Sequence, residues 1–197
     1  MRRISGSLLP AFALLVLAGC DGSGTPAGPG MPSIDLDDGG GVIASATGGG
    51  RYLLANTFDV QFAFSAVQHA SGKVMGNFHH KLDTGAGTFD FKGEVTCLAF
   101  DPVENRAWIG GVITHNHSTD PFYQSNSVFE VGQDAWFRVV DYGEGENSTQ
   151  PDRTTFVGFE NTPGIPTSEF YCATKPWPLG DLRTHPVTEG NIQVNIR

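Results

Sequence analysis

The chain has 197 residues, of which 39% are hydrophobic, 11% aromatic and 17% charged, with 26 Gly and 12 Pro. That much Gly and Pro argues against a helical bundle, and the length allows one domain plus appendages. The net charge is −9; without Arg2 and Arg3, which fall in a targeting segment, 10 Lys and Arg face 21 Asp and Glu, about −11. So acidic a surface repels nucleic-acid phosphates and anionic headgroups, which excludes a polybasic binding mode.

Arg2 and Arg3 precede an apolar run from Leu8 to Ala18. It is too short for the roughly 20 residues that span a bilayer. The run ends in Leu17-Ala18-Gly19-Cys20, which resembles the lipobox of bacterial lipoproteins. The resemblance implies a signal peptide over residues 1–19, a diacylglyceryl group on the Cys20 thiol and an acylated new amine. Two or three acyl chains hold a protein on a membrane, where one is marginal. The expected location is the bacterial cell envelope, with the membrane reached through the lipid and the domain outside the cytoplasm. Asp21 resembles an inner-membrane retention signal of some bacteria, a rule that does not transfer between groups.

Behind Cys20, residues 21–50 carry ten Gly and three Pro with almost no apolar periodicity. Such a stretch cannot offset its ordering entropy by burial, so residues 20–50 are expected to be a flexible tether. The folded domain is then residues 51–197.

Period-two alternation dominates that domain. Val60, Phe62, Phe64 and Ala66 share one face; Val74, Gly76, Phe78, His80 and Leu82 repeat the pattern. In the third run Phe89, Phe91, Gly93, Val95, Cys97 and Ala99 oppose Asp90, Lys92, Glu94 and Thr96, with Gly93 marking a bend or bulge. Further strands are expected over 107–115, 135–142, 154–159 and 191–197, and one short helix near 167–173. Ala70-Ser71-Gly72, Asp83-Thr84-Gly85 and 101–105 are hairpin-sized connections. The fold class is therefore all-β: an antiparallel meander of about eight to nine strands, closed as a barrel or folded as a sandwich. A Pro-rich segment, 163–186, precedes the last strand. A membrane-spanning barrel would carry outward apolar faces and aromatic girdles, and a lipid anchor would be redundant on it.

Several segments resemble a family of uncharacterised exported bacterial β-proteins. They are Gly93-Glu94-Val95-Thr96-Cys97-Leu98, Ala107-Trp108-Ile109-Gly110-Gly111-Val112-Ile113, the stretch from Trp136 to Glu146, Phe170-Tyr171-Cys172 and Gly190-Asn191-Ile192-Gln193-Val194. The resemblance covers roughly residues 55–197. The turn before Arg106 is longer than the family's usual Gly-Asn, and Tyr142 stands where Asn is common. The resemblance supports the domain boundary and the cysteine pairing and implies no activity.

Three cysteines divide into one lipid acceptor and two others. Outside the cytoplasm an even remainder points to a disulfide, here Cys97 to Cys172, with Cys97 expected on the inward face of its strand. No Cys-His-Asn signature favours a nucleophile instead.

His115 and His117 have the best metal-ligand spacing, because i and i+2 on a strand share a face. A catalytic zinc needs three protein ligands, and the third must come from His80, Asp120 or elsewhere. The plainer reading is a solvated strand end. Asp141, Glu144, Glu146 and Asp152 gather carboxylates around two glycines, and Asp141 with Glu144 is the calcium reading, although the spacing is not that of an EF-hand. The plainer role for Asp141 is to turn inward and hydrogen-bond a loop backbone. No cofactor is otherwise expected.

Trp108, Trp136, Trp177, Phe122 and Tyr123 are candidates for an exposed aromatic platform for sugar. Two of these tryptophans are on strands, where packing is the commoner fate, which leaves Trp177, between Pro176 and Pro178, as the exposed one. No Gly-x-Ser-x-Gly, His-Glu-x-x-His or phosphate loop is present. The sequence favours a lipid-anchored envelope module that binds a protein or carbohydrate, or is structural, rather than an enzyme. The alternatives are an envelope hydrolase or metal-dependent enzyme on the same scaffold, and a lipocalin-like carrier of small molecules.

Overall fold

The computed structural model describes residues 41–143, 148, 150–178, 181 and 183–197. Cys20, the signal segment before it, the first part of the tether and Glu144 lie outside these residues. The strands in chain order are β1 (Val42–Leu54), β2 (Phe58–His69), β3 (Val74–Asp83), β4 (Thr88–Asp101), β5 (Arg106–Asn116), β6 (Asp134–Val140), β7 (Arg153–Thr155), β8 (Gly158–Phe159) and β9 (Thr184–Ile196). Two short helices intervene, α1 (Pro121–Ser125) and α2 (Ser168–Thr174).

Every pairing is antiparallel, and each strand from β1 to β6 pairs with the next. β7 joins β6 to β9, and β9 pairs with β1, which closes an eight-strand ring; β8 is a second, two-residue pairing on β6. The fold is a meander barrel, not a sandwich. Closure leaves no long edge to pair with another chain.

The alternation is expressed as drawn from the sequence. Val60, Phe62, Phe64 and Ala66 are buried, as are Phe78, His80 and Leu82 on β3 and Phe89, Phe91 and Val95 on β4. With Phe137, Ile109, Ile113 and Ile192 they fill the interior with side chains. Each such aromatic or branched residue contributes roughly 1.5–3 kcal/mol by leaving water. After β5, Tyr123 and Phe129 close onto this set, with Tyr123 5.0 Å from Phe89 and Phe129 5.8 Å from Phe91 between ring centroids. Asp120 starts α1 there by accepting the Phe122 N–H at 2.9 Å.

Two expectations are corrected. Residues 42–50, read as tether, are the first half of β1, paired with β2 and β9. Cys97 does not point inward. Val95 pairs with Gly111 and Cys97 with Gly110, so Thr96 is an extra residue on β4. The bulge reverses the alternation beyond it: Leu98 turns into the core and Cys97 faces out. A second irregularity falls at Gly93, where the bend was expected.

Outside the barrel, α2 forms a second layer over β4, β5 and β6. The Thr167 hydroxyl caps it, accepting the Phe170 N–H at 3.1 Å, and Lys175 ends it with left-handed backbone. The Cys97–Cys172 disulfide staples the helix to the wall. Trp108, Trp136, Ile165 and Tyr171 form a small core beneath it. Outward residues of β6 are therefore buried too, and Trp136 through Val140 is covered on both faces.

Candidate functional site

The ring is weakest around β7, which shares two pairs with β6. β7 and β9 share only three pairs, Arg153 with Pro186, Thr154 with His185 and Thr155 with Thr184. Past Thr155 the wall parts, and β8 pairs with β6 alone. A pocket of about 460 Å³ lies there, lined by Trp136, Thr155, Phe156, Val157, Gly158, Thr162, Tyr171, Trp177, Arg183 and His185. Its size is within the range of small-molecule sites.

The two strand tryptophans differ in one respect. The Trp108 indole N–H donates to the Pro176 carbonyl at 2.9 Å. Trp136, only 2% exposed and stacked 5.8 Å from Tyr171, has no acceptor for its indole N–H among the described residues. Gly158 packs closely on that indole, and only a glycine fits, since a Cβ there would stand 2.5 Å from Trp136 Nε1. The pocket is thus lined by a largely buried aromatic whose donor has no acceptor among the described residues.

Across it, the Arg183 guanidinium carbon lies 4.0 Å from the centre of the Trp177 ring, a cation–π contact. No carboxylate among the described residues pairs with Arg183, and none lines the pocket. In a chain of net charge −9, this is a local reversal. Trp177 and Arg183 both have left-handed backbone, with φ of 53° and 63°. Such conformations cost a non-glycine residue on the order of 1 kcal/mol and cluster at functional sites. His185 stacks 5.3 Å from Tyr52, and burial, then the nearby Arg153, lower its pKa, which favours a neutral ring. Burial raises the pKa of Tyr171, so its phenol stays protonated.

No family model, curated protein or solved structure matches this chain. The site is therefore read from its own residues.

A shallower groove of about 320 Å³ crosses β1 and β2 beside Gly50, Arg51, Ala63 and Glu189. Its cation is already engaged: Arg51 lies 3.3 Å from Asp59 and 4.0 Å from Glu189.

His115 and His117 are both exposed, on the outer face, with rings 5.5 Å apart. His80 is inside the barrel, fully buried, and cannot reach them through the wall. Asp120 is committed to capping α1 and to the Thr84 hydroxyl. Among the described residues no group of three His, Cys, Asp or Glu side chains is placed to hold a metal. Asp141 accepts the Gly143 N–H at 2.8 Å and the Val194 N–H at 2.8 Å. The loop-backbone role expected of it is present, extended to a strand.

Among the described residues His80 has no hydrogen-bond partner for either ring nitrogen, and it packs 4.8 Å from Phe137 and 6.3 Å from Phe62 and Phe78. Burial, with a smaller push from His79, lowers its pKa to about 3. It is a neutral core residue.

Sequence reasoning singled out Trp177 but missed Arg183 and Gly158. Gly158 fell within the strand expected over 154–159 and Arg183 within the Pro-rich segment 163–186; only the fold brings them beside the tryptophans.

Proposed function

We propose that this chain is a non-catalytic binding module of the bacterial cell envelope, lipid-tethered through Cys20, with its ligand site at the barrel seam. The observation that carries the reading is an aromatic-lined pocket in which, among the described residues, the Trp136 indole N–H has no acceptor and Arg183 has no carboxylate partner. A donor with no protein acceptor on the wall of a pocket is available to a ligand. A binding role is favoured over hydrolysis because the lining supplies no nucleophile set against a base. The Thr155 hydroxyl accepts the Arg138 N–H at 2.9 Å, and the His185 ring lies on Tyr52. A carrier role has less support, since aromatic side chains fill the barrel interior.

Two measurements test the proposal. Fatty-acid labelling of cells should mark the native chain and not Cys20→Ser; label on the variant rejects the anchor. The indole N–H resonances of the three tryptophans, assigned with Trp136→Phe, should be followed against a panel of envelope saccharides and organic acids. The Trp136 signal should shift saturably with at least one member while that of Trp108 holds still. A panel that leaves Trp136 unmoved rejects the site.

A further inference from the structure

The pocket's chemistry narrows its ligand, and this step rests on the binding reading above. We infer that the seam pocket takes a six-membered ring carrying a carboxylate. A uronic acid and an aromatic acid share that chemistry.

Three features converge on it. Arg183 lies with its guanidinium carbon 4.0 Å from the centre of the Trp177 ring, and among the described residues no carboxylate takes up its N–H groups. Two parallel N–H bonds from a guanidinium match the geometry of a carboxylate. Among the described residues no carboxylate lines the pocket, and the neighbouring Asp181 is engaged by Arg153 and the Tyr142 hydroxyl. The indole of Trp136 offers a single neutral donor, suited to a ring oxygen, a hydroxyl or the second carboxylate oxygen.

The shape agrees with the charge. Trp177 and Tyr171 offer apolar ring surface beside the polar groups, which favours a flat or ring-shaped body. Phe156 and Val157, between the paired stretches, add main chain and apolar surface at the gap in the wall. A space of about 460 Å³ holds one or two rings rather than a long chain. The overall negative charge of the protein works against anions elsewhere on the surface, so selectivity depends on this local reversal.

The test is a titration of the Trp136 indole N–H signal at low salt with sodium glucuronate, sodium benzoate and glucose, on the native chain and on Arg183→Gln. Arg183 is exposed, so the variant should fold; a melting curve checks that. Glucuronate or benzoate should bind saturably, at least about tenfold tighter than glucose. Arg183→Gln should remove that preference. The tighter of the two acids assigns the source. Equal binding of glucose and both acids, unaffected by Arg183→Gln, overturns the carboxylate while leaving the pocket in place. Failure of all three probes to move Trp136 overturns the carboxylate inference. The site reading then stands or falls on the wider panel.

Discussion

The Ile192 N–H donates to Asp152 Oδ2 at 2.7 Å, so a carboxylate serves the main chain of β9 beyond its pairs with β7. β9 pairs with β1 along one edge, but β7 covers only three residues of the other. Carboxylates complete that edge: Asp152 serves Ile192, and Asp141 serves Val194 at 2.8 Å. The second oxygen of Asp152 accepts the Tyr142 N–H at 2.9 Å, and its own carbonyl accepts Val187 at 2.8 Å. The acidic cluster of the sequence is, at these two positions, the closure of the barrel.

Asp152→Ala should therefore destabilise the domain by about 2–4 kcal/mol, because it strips a charged acceptor from two main-chain donors at a buried position. Asp152→Asn keeps one acceptor and should lose roughly half as much. Urea unfolding measures both, and hydrogen exchange at the Ile192 amide should accelerate in the Ala variant. An unchanged exchange rate at Ile192 would show that the carboxylate does not close the seam.

His80 predicts an acid limb in the stability curve. Its folded pKa is about 3, below the ordinary value of 6.5, because burial opposes the charged ring. Above pH 6.5 both folded and unfolded chains hold it neutral and it adds no pH dependence. Below 6.5 the unfolded chain takes up a proton that the folded chain refuses. Stability then falls by up to about 1.4 kcal/mol per pH unit until about pH 3. His80→Leu removes this loss along with two unsatisfied nitrogens, and should be more stable than the native chain by a margin that widens from pH 6.5 to 4. Parallel native and variant curves across that range would contradict the account.

Strand order and the inner face were legible because closing a small barrel forces strict alternation of wet and dry positions. Three features were not. Gly48, Gly49 and Gly50 read as tether, yet β1 runs so close to its neighbours that a Cβ on Gly48 would stand 2.8 Å from the Phe64 ring. Gly48 and Gly50 are required by contact, a Cβ on Gly50 standing 2.0 Å from the Glu189 carbonyl, which composition cannot distinguish from flexibility. Cys97 was assigned the wrong face because one extra residue, Thr96, shifts the period and leaves no mark in the pattern. The pocket was half visible. Trp177 between two prolines stood out, but the packing of Gly158 on the Trp136 indole and the Pro176 acceptor for Trp108 are set by the fold alone.

The disulfide gives a third prediction. Cys97 and Cys172 are 75 residues apart in sequence, and a loop of that length corresponds to about 4.5 kcal/mol at most in a chain-entropy treatment. The Cys97→Ala, Cys172→Ala double variant should melt several degrees lower. Its loss should fall first on the outer layer, since the barrel core does not depend on α2. Near-ultraviolet signal from Trp108 and Trp136 should then fade before the sheet unfolds. Two titratable thiols among these cysteines in oxidised, denatured native protein would end this prediction.

His115 and His117 give the last. Both are exposed on the outer face of the barrel, and His115 Nδ1 lies 3.1 Å from the neighbouring Thr114 hydroxyl. Two imidazoles alone hold zinc weakly, and a dedicated site needs a third ligand with second-shell support. The side chains first considered for that role are committed elsewhere, His80 in the core and Asp120 at the start of α1. Surface substitutions away from caps and buried polar groups usually change stability by less than about 0.5 kcal/mol. Replacing both histidines by Ala should stay within that margin and leave the Trp136 titration unchanged. Elemental analysis of protein purified without an affinity tag, with a melting curve in chelator, provides the check. Stoichiometric zinc lost from the double variant, or a large drop in melting temperature on chelation, would reverse the assignment and favour a metal-dependent activity.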